Sequence, residues 1–120
     1  MNLLFIHGNF PGQFLDLAPL LAQKVGGRTL FLTESENPQG IKLPGVELVR
    51  FGSHRDVRDD CHPYLRLSEQ AVLRGQGVLR ALQKLQEQGF VPDVVIAHGG
   101  MGLGMFVKGL LPRVVLVSYV

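Results

Sequence analysis

The chain has 120 residues, a formal charge of +2 and a pI near 9.0. That length allows one domain, 1–120, around one core. Its basic residues are scattered, so the stripe that a nucleic-acid backbone requires is missing and no nucleic-acid partner is expected.

Cys61 is the only cysteine, which excludes an intrachain disulfide and fits a reducing compartment. No basic region precedes the first apolar run, and no apolar stretch reaches the length of a bilayer span. A cytoplasmic protein is expected, with weak peripheral attraction to an anionic membrane left open.

Leu3-Leu4-Phe5-Ile6 reads as a strand buried on both faces. His7-Gly8-Asn9-Phe10-Pro11-Gly12 follows as a loop, because two glycines and a proline disfavour a helix. Gln13 to Lys24 has helical spacing at Phe14, Leu17, Ala18, Leu21 and Ala22. Pro19 predicts a kink there, or a helix that begins near it. Thr29 to Thr33 is a second strand. Val46 to Arg50 alternates and reads as a third, nearer the sheet edge.

After the charged loop Gly52–His62, Pro63 opens a long helix, about Tyr64 to Gln88. Its inward face is expected to carry Ala71, Val72, Gly75, Val78, Leu79, Leu82 and Leu85, with Gly89 as its C′ residue. Val94 to Ala97 is a fourth buried strand, ending at His98-Gly99-Gly100. A helix is expected over Leu103 to Leu111, and Val114 to Tyr119 is strand five. The order β-α-β-β-α-β-α-β predicts a Rossmann-like α/β fold. It has about five parallel strands in the order 3-2-1-4-5, with helices on both faces. His7 and His98 then face each other across the crevice at the switch in strand order, where ligands of such sheets bind.

The glycines after strand one and strand four miss the G-x-G-x-x-G spacing, and no phosphate-binding lysine motif is present. Glycines ahead of a helix leave backbone N–H groups for an anion or a sugar hydroxyl, or merely satisfy a tight turn. The loop His54-Arg55-Asp56-Val57-Arg58-Asp59-Asp60-Cys61-His62 holds metal-ligating residue types. Its spacing matches no closed zinc pattern, and its charges are expected to pair within the loop. No metal site is expected, and no partner makes Cys61 a nucleophile.

Five stretches in order carry a resemblance. They are Asn9-Phe10-Pro11-Gly12-Gln13-Phe14, Thr33-Glu34-Ser35-Glu36-Asn37-Pro38, His62-Pro63-Tyr64-Leu65-Arg66, Ala71-Val72-Leu73-Arg74-Gly75-Gln76 and Gly89-Phe90-Val91-Pro92-Asp93-Val94-Val95-Ile96-Ala97-His98. Together they resemble the N-terminal domain of glycosyltransferase family 4, in the bacterial subgroup with an NFPGQF loop. The resemblance implies one half of a GT-B fold, facing a C-terminal domain that holds the nucleotide sugar with two glutamates eight apart. It implies metal-independent transfer with retention and no cofactor beyond the nucleotide-sugar substrate. His98 matches the histidine that touches the donor sugar. His7, Gly8, Asn9, Phe10, Pro11, Gly12 and Gln13 match the loop near the donor phosphates, and Gly99 and Gly100 follow His98 in the same site.

The subgroup commonly reads His-Pro-Gly-Trp-Gly-Glu where this chain has His98-Gly99-Gly100-Met101-Gly102-Leu103. No glutamate here is followed by another eight residues later. The chain is therefore expected to be the acceptor-side part of a transferase, inactive alone. Its expected partners are a C-terminal GT-B domain, a sugar acceptor, and a second copy through the apolar strand-five edge. A non-catalytic binding or assembly module on the same fold is the alternative.

Overall fold

The computed structural model describes residues 1–119. Five strands form one parallel sheet: β1 (Leu3–Ile6), β2 (Thr29–Thr33), β3 (Val46–Arg50), β4 (Val94–His98) and β5 (Val115–Tyr119). The spatial order is β3-β2-β1-β4-β5, as the alternation of elements predicts. Phe5 of β1 lies level with Phe31 of β2 and Ile96 of β4.

The period of two in each strand divides its side chains between two cores. Leu4, Ile6, Leu30, Leu32, Val95 and Ala97 pack on one face against helices α2 (Arg66–Glu87) and α3 (Val107–Leu110). Leu3, Phe5, Phe31 and Ile96 pack on the other against Phe14 and helix α1 (Leu17–Lys24). Both faces of β1 and β2 are covered, which is why these strands are apolar without alternation. β3 lies at the sheet edge and is mostly exposed, as its polar face predicts.

Gly12–Phe14 forms a 3-10 turn and α1 starts at Leu17, so the helix that begins near Pro19 is the alternative that holds, with Pro19 in its first turn where a missing N–H costs no helical bond. Two other local expectations are corrected. In α2 the buried face carries Leu73 and Gly77 as well as Gly75, Val78, Leu82 and Leu85, while Val72 is exposed. The reason is that the first half of α2 meets loops rather than strands. A Cβ on Gly77 would lie 2.6 Å from the Gly52 carbonyl oxygen, and one on Gly75 would lie 2.8 Å from that of Gly102. Finally, α3 is a single turn. Gly100 and Gly102 have φ of +89° and +78°, values no helix contains, so the glycine segment is spent as turns.

The end of α2 is as expected. Gly89 has φ +90°. Its N–H donates to the Gln86 carbonyl at 3.1 Å and that of Phe90 to Leu85 at 2.9 Å, so two terminal carbonyls are satisfied.

Candidate functional site

β1 and β4 are neighbours but lead into connections that run in opposite directions across the sheet. Their carboxyl ends therefore open onto one rim, and the first residue past β1 and the last of β4 are both histidines. The His7 and His98 rings lie 4.4 Å apart between centroids, tilted by 34°.

His7 is buried and held on every side. Its Nδ1 accepts the N–H of Asn9 at 2.9 Å. Phe14 meets its ring edge-on at 5.7 Å. Gly12 sits against Nε2 so closely that a Cβ there would lie 2.6 Å from it. Burial holds the His7 imidazole below its ordinary pKa, and the neighbouring His98 adds to the shift. His98 is half-buried, and its Nδ1 is enclosed without a hydrogen-bond partner among the described residues.

The loop after β1 is tied to β2. The Thr33 hydroxyl donates to the Gly8 carbonyl at 3.1 Å and accepts from the Ser35 N–H at 3.2 Å. Phe10 lies edge-on to Phe31 at 4.8 Å, half-buried in the α1-side core. Pro11 gives its carbonyl to the Phe14 N–H at 3.1 Å. Of the loop residues, Asn9 and Gln13 are exposed, His7 is buried and Phe10 half-buried, and the exposed Gly12 lies with its backbone against the His7 ring.

After β4, Gly99 spends its N–H on the Tyr119 carbonyl at 2.7 Å, so that amide belongs to the sheet rather than to a ligand. Gly100 is exposed, and a Cβ there would meet nothing within 4 Å. Gly102 differs: its missing Cβ faces the backbone of Ala71, and it docks the loop onto α2. The chain thus contains both readings of a glycine-rich turn. Gly100 leaves open backbone at the rim, and Gly102 is a packing contact.

Two features of the rim were not singled out from sequence. Tyr119 at the end of β5 lies 5.8 Å from Phe14, extending the aromatic wall behind His7. Glu34, just past β2, pairs with Arg74 of α2 at 3.1 Å, and both line a polar cleft of about 270 Å³ with Ser53, Arg55, Asp56 and Gln70. For Glu34, Ser53 and Arg55, the position just past the carboxyl ends of β2 and β3 was the available signal. Another hollow of about 280 Å³ lies between β3 and α2, away from the histidines. The rim is therefore singled out by chemistry and topology, not by volume.

The charged loop before α2 pairs differently from expectation. Arg55 bonds Glu69 of α2 at 3.0 Å, and Glu69 also accepts from the Arg58 N–H, so the loop is anchored to the helix. His62 Nδ1 accepts the N–H of Tyr64 at 3.1 Å. Desolvation, then the Glu69 carboxylate, pushes the Cys61 thiol up, the opposite of an activated nucleophile. Among the described residues no group of three or more His, Cys, Asp or Glu side chains is placed to hold a metal, and no helix is long and apolar enough to cross a membrane.

The fold is that of a Rossmann-like α/β domain whose two histidines meet at the switch in strand order. The family model described as "Glycosyl transferase family 4 group" matches residues 26–120, and the chain belongs to that family. No curated protein matches it. Among solved structures it is similar to a point variant of Os79 from O. sativa in complex with UDP, with a TM-score of 0.59 and 16% identity. The match covers 97% of this chain and 28% of that one, so the chain spans little more than a quarter of that protein's length. At this identity the likeness is one of fold.

Proposed function

We propose that this chain is the N-terminal, acceptor-side domain of a retaining glycosyltransferase of the NFPGQF subgroup, acting on a nucleotide-sugar donor. The observation that carries the reading is the pair His7 and His98 at one rim of a family 4 domain, 4.4 Å apart. His98 contacts the donor sugar through Nε2. Asn9, Gln13 and the open backbone at Gly100 flank the donor phosphates, and the acceptor enters from the Glu34–Arg74 side. A C-terminal GT-B domain supplies the groups that hold the nucleotide, so the chain alone does not turn over. The intact enzyme works in the cytoplasm, with at most peripheral membrane contact.

In the intact two-domain enzyme, His98→Ala should lower kcat by about 10²-fold, the usual effect of removing one transition-state hydrogen bond. An unchanged kcat removes His98 from the site, and turnover of a nucleotide sugar by this chain alone overturns the domain assignment.

The alternative, a non-catalytic assembly module, is favoured by two observations. Leu103, where the subgroup commonly carries a carboxylate, is buried in the α2-side core. β5 also exposes Val115, Val117 and Tyr119 along the sheet face it shares with Ile96. Neither removes the rim.

A further inference from the structure

We propose that His7 is a positioning residue that holds the 8–13 loop on the rim only as the neutral, Nε2-protonated tautomer, and that proton uptake at Nδ1 releases the loop. The latch is the bond from the Asn9 N–H to Nδ1, at 2.9 Å. A neutral imidazole offers one lone pair; an imidazolium has N–H at both nitrogens and none. Protonation of Nδ1 would thus set two donors head to head in a buried space.

The ring cannot turn away from that clash. Gly12 closes the Nε2 edge, where a Cβ would also lie 2.8 Å from Cδ2 and from Cε1. Phe14 stands edge-on at 5.7 Å and the His98 ring lies at 4.4 Å. The loop is the part that can yield, because Asn9 and Gln13 are exposed.

Among the described residues no free opposite charge faces the imidazolium. From β4 the facing group is His98, itself a base. Past β2, Glu34 lies beside Gly8, but its carboxylate is committed to Arg74 at 3.1 Å. From β5, Tyr119 lies level with His98 in the sheet and meets Phe14 at 5.8 Å. Desolvation and the second imidazole both favour the neutral form. Gly12 acquires a specific reason here: it is the residue whose lack of a side chain lets the loop close over Nε2.

The consequence for sugar transfer rests on the function proposed above, but the test does not, because it reads the loop and not the reaction. Backbone amide protection and imidazole shifts are followed by NMR from pH 8 to pH 5 in the 120-residue chain. Wild type is compared with His7→Asn, whose Oδ1 can accept the same N–H without titrating, and with His7→Phe, which keeps a ring and no acceptor. In wild type the Asn9 amide should lose about fivefold in protection, the worth of one hydrogen bond, with the midpoint of the His7 ring. In His7→Asn the step should vanish while protection stays. In His7→Phe protection should be low at every pH. A pH step that persists in His7→Asn, or follows His98 instead, overturns the proposal, as does a wild-type loop that ignores the His7 titration. If His7→Phe fails to fold, the comparison of wild type with His7→Asn decides alone.

Discussion

Gly100 and Gly102 invite a paired experiment. Both have positive φ, yet one faces open space and the other the backbone of Ala71. Replacing Gly100 with Ala should cost only the left-handed conformation, roughly 1–2 kcal/mol. Gly102→Ala carries that cost and must also push the loop off α2, which adds about 1–3 kcal/mol by analogy with overpacked cores. The expected difference between the two variants is therefore about 1–3 kcal/mol. With a urea slope of roughly 1.5 kcal/mol per molar for a chain of this size, the Gly102→Ala midpoint should fall about 1–2 M below that of Gly100→Ala. Urea unfolding followed by far-UV circular dichroism reads this directly. Equal midpoints, or a milder Gly102→Ala, would refute the view that position 102 seats the rim on the helix. Gly75→Ala tests the same contact from the other side. Alanine gains about 1 kcal/mol in helix propensity there, yet the 2.8 Å approach to the Gly102 carbonyl should make the variant less stable.

Two further outcomes are expected. The folded state holds His7 below the ordinary value of 6.5 that the unfolded chain retains, so the unfolded state binds the proton first. Its contribution is complete above pH 6.5 and is lost as pH falls through the lower folded value. Urea midpoints should drop more steeply below that pH in wild type than in His7→Asn, and parallel curves would exclude the effect. Separately, β5 is an uncharged edge strand among the described residues, and Val117 is 44% exposed. Self-association through β5, seen by light scattering, should be abolished by Val117→Lys, since charge is the common protection of an open edge. A wild-type monomer at high concentration would rule the contact out.

The strands were legible because burial on both faces leaves an unmistakable trace: unbroken Leu3 to Ile6, Thr29 to Thr33 and Val94 to Ala97. Strand order followed from the alternation of strands and helices and from crossover handedness, which are chain-level constraints. The meeting of His7 and His98 followed from that order alone. Contacts of helices and loops outside the strand order were not legible. The period of α2 marks an apolar stripe but not where the helix leaves the sheet, so Val72 was assigned inward and Leu73 was missed. Spacing likewise cannot tell Gly100 from Gly102, because the difference is the presence of Ala71 across the gap. The Arg74–Glu34 pair joins residues 40 apart by their numbering, and no local pattern announces it.

The 22-residue helix α2 is about 33 Å long. It meets the rim through backbone at Gly75 and Gly102, with the Phe106 ring packed beside the contact. A side chain added at Gly75 or at Gly102 would have to push that helix and the turn after His98 apart.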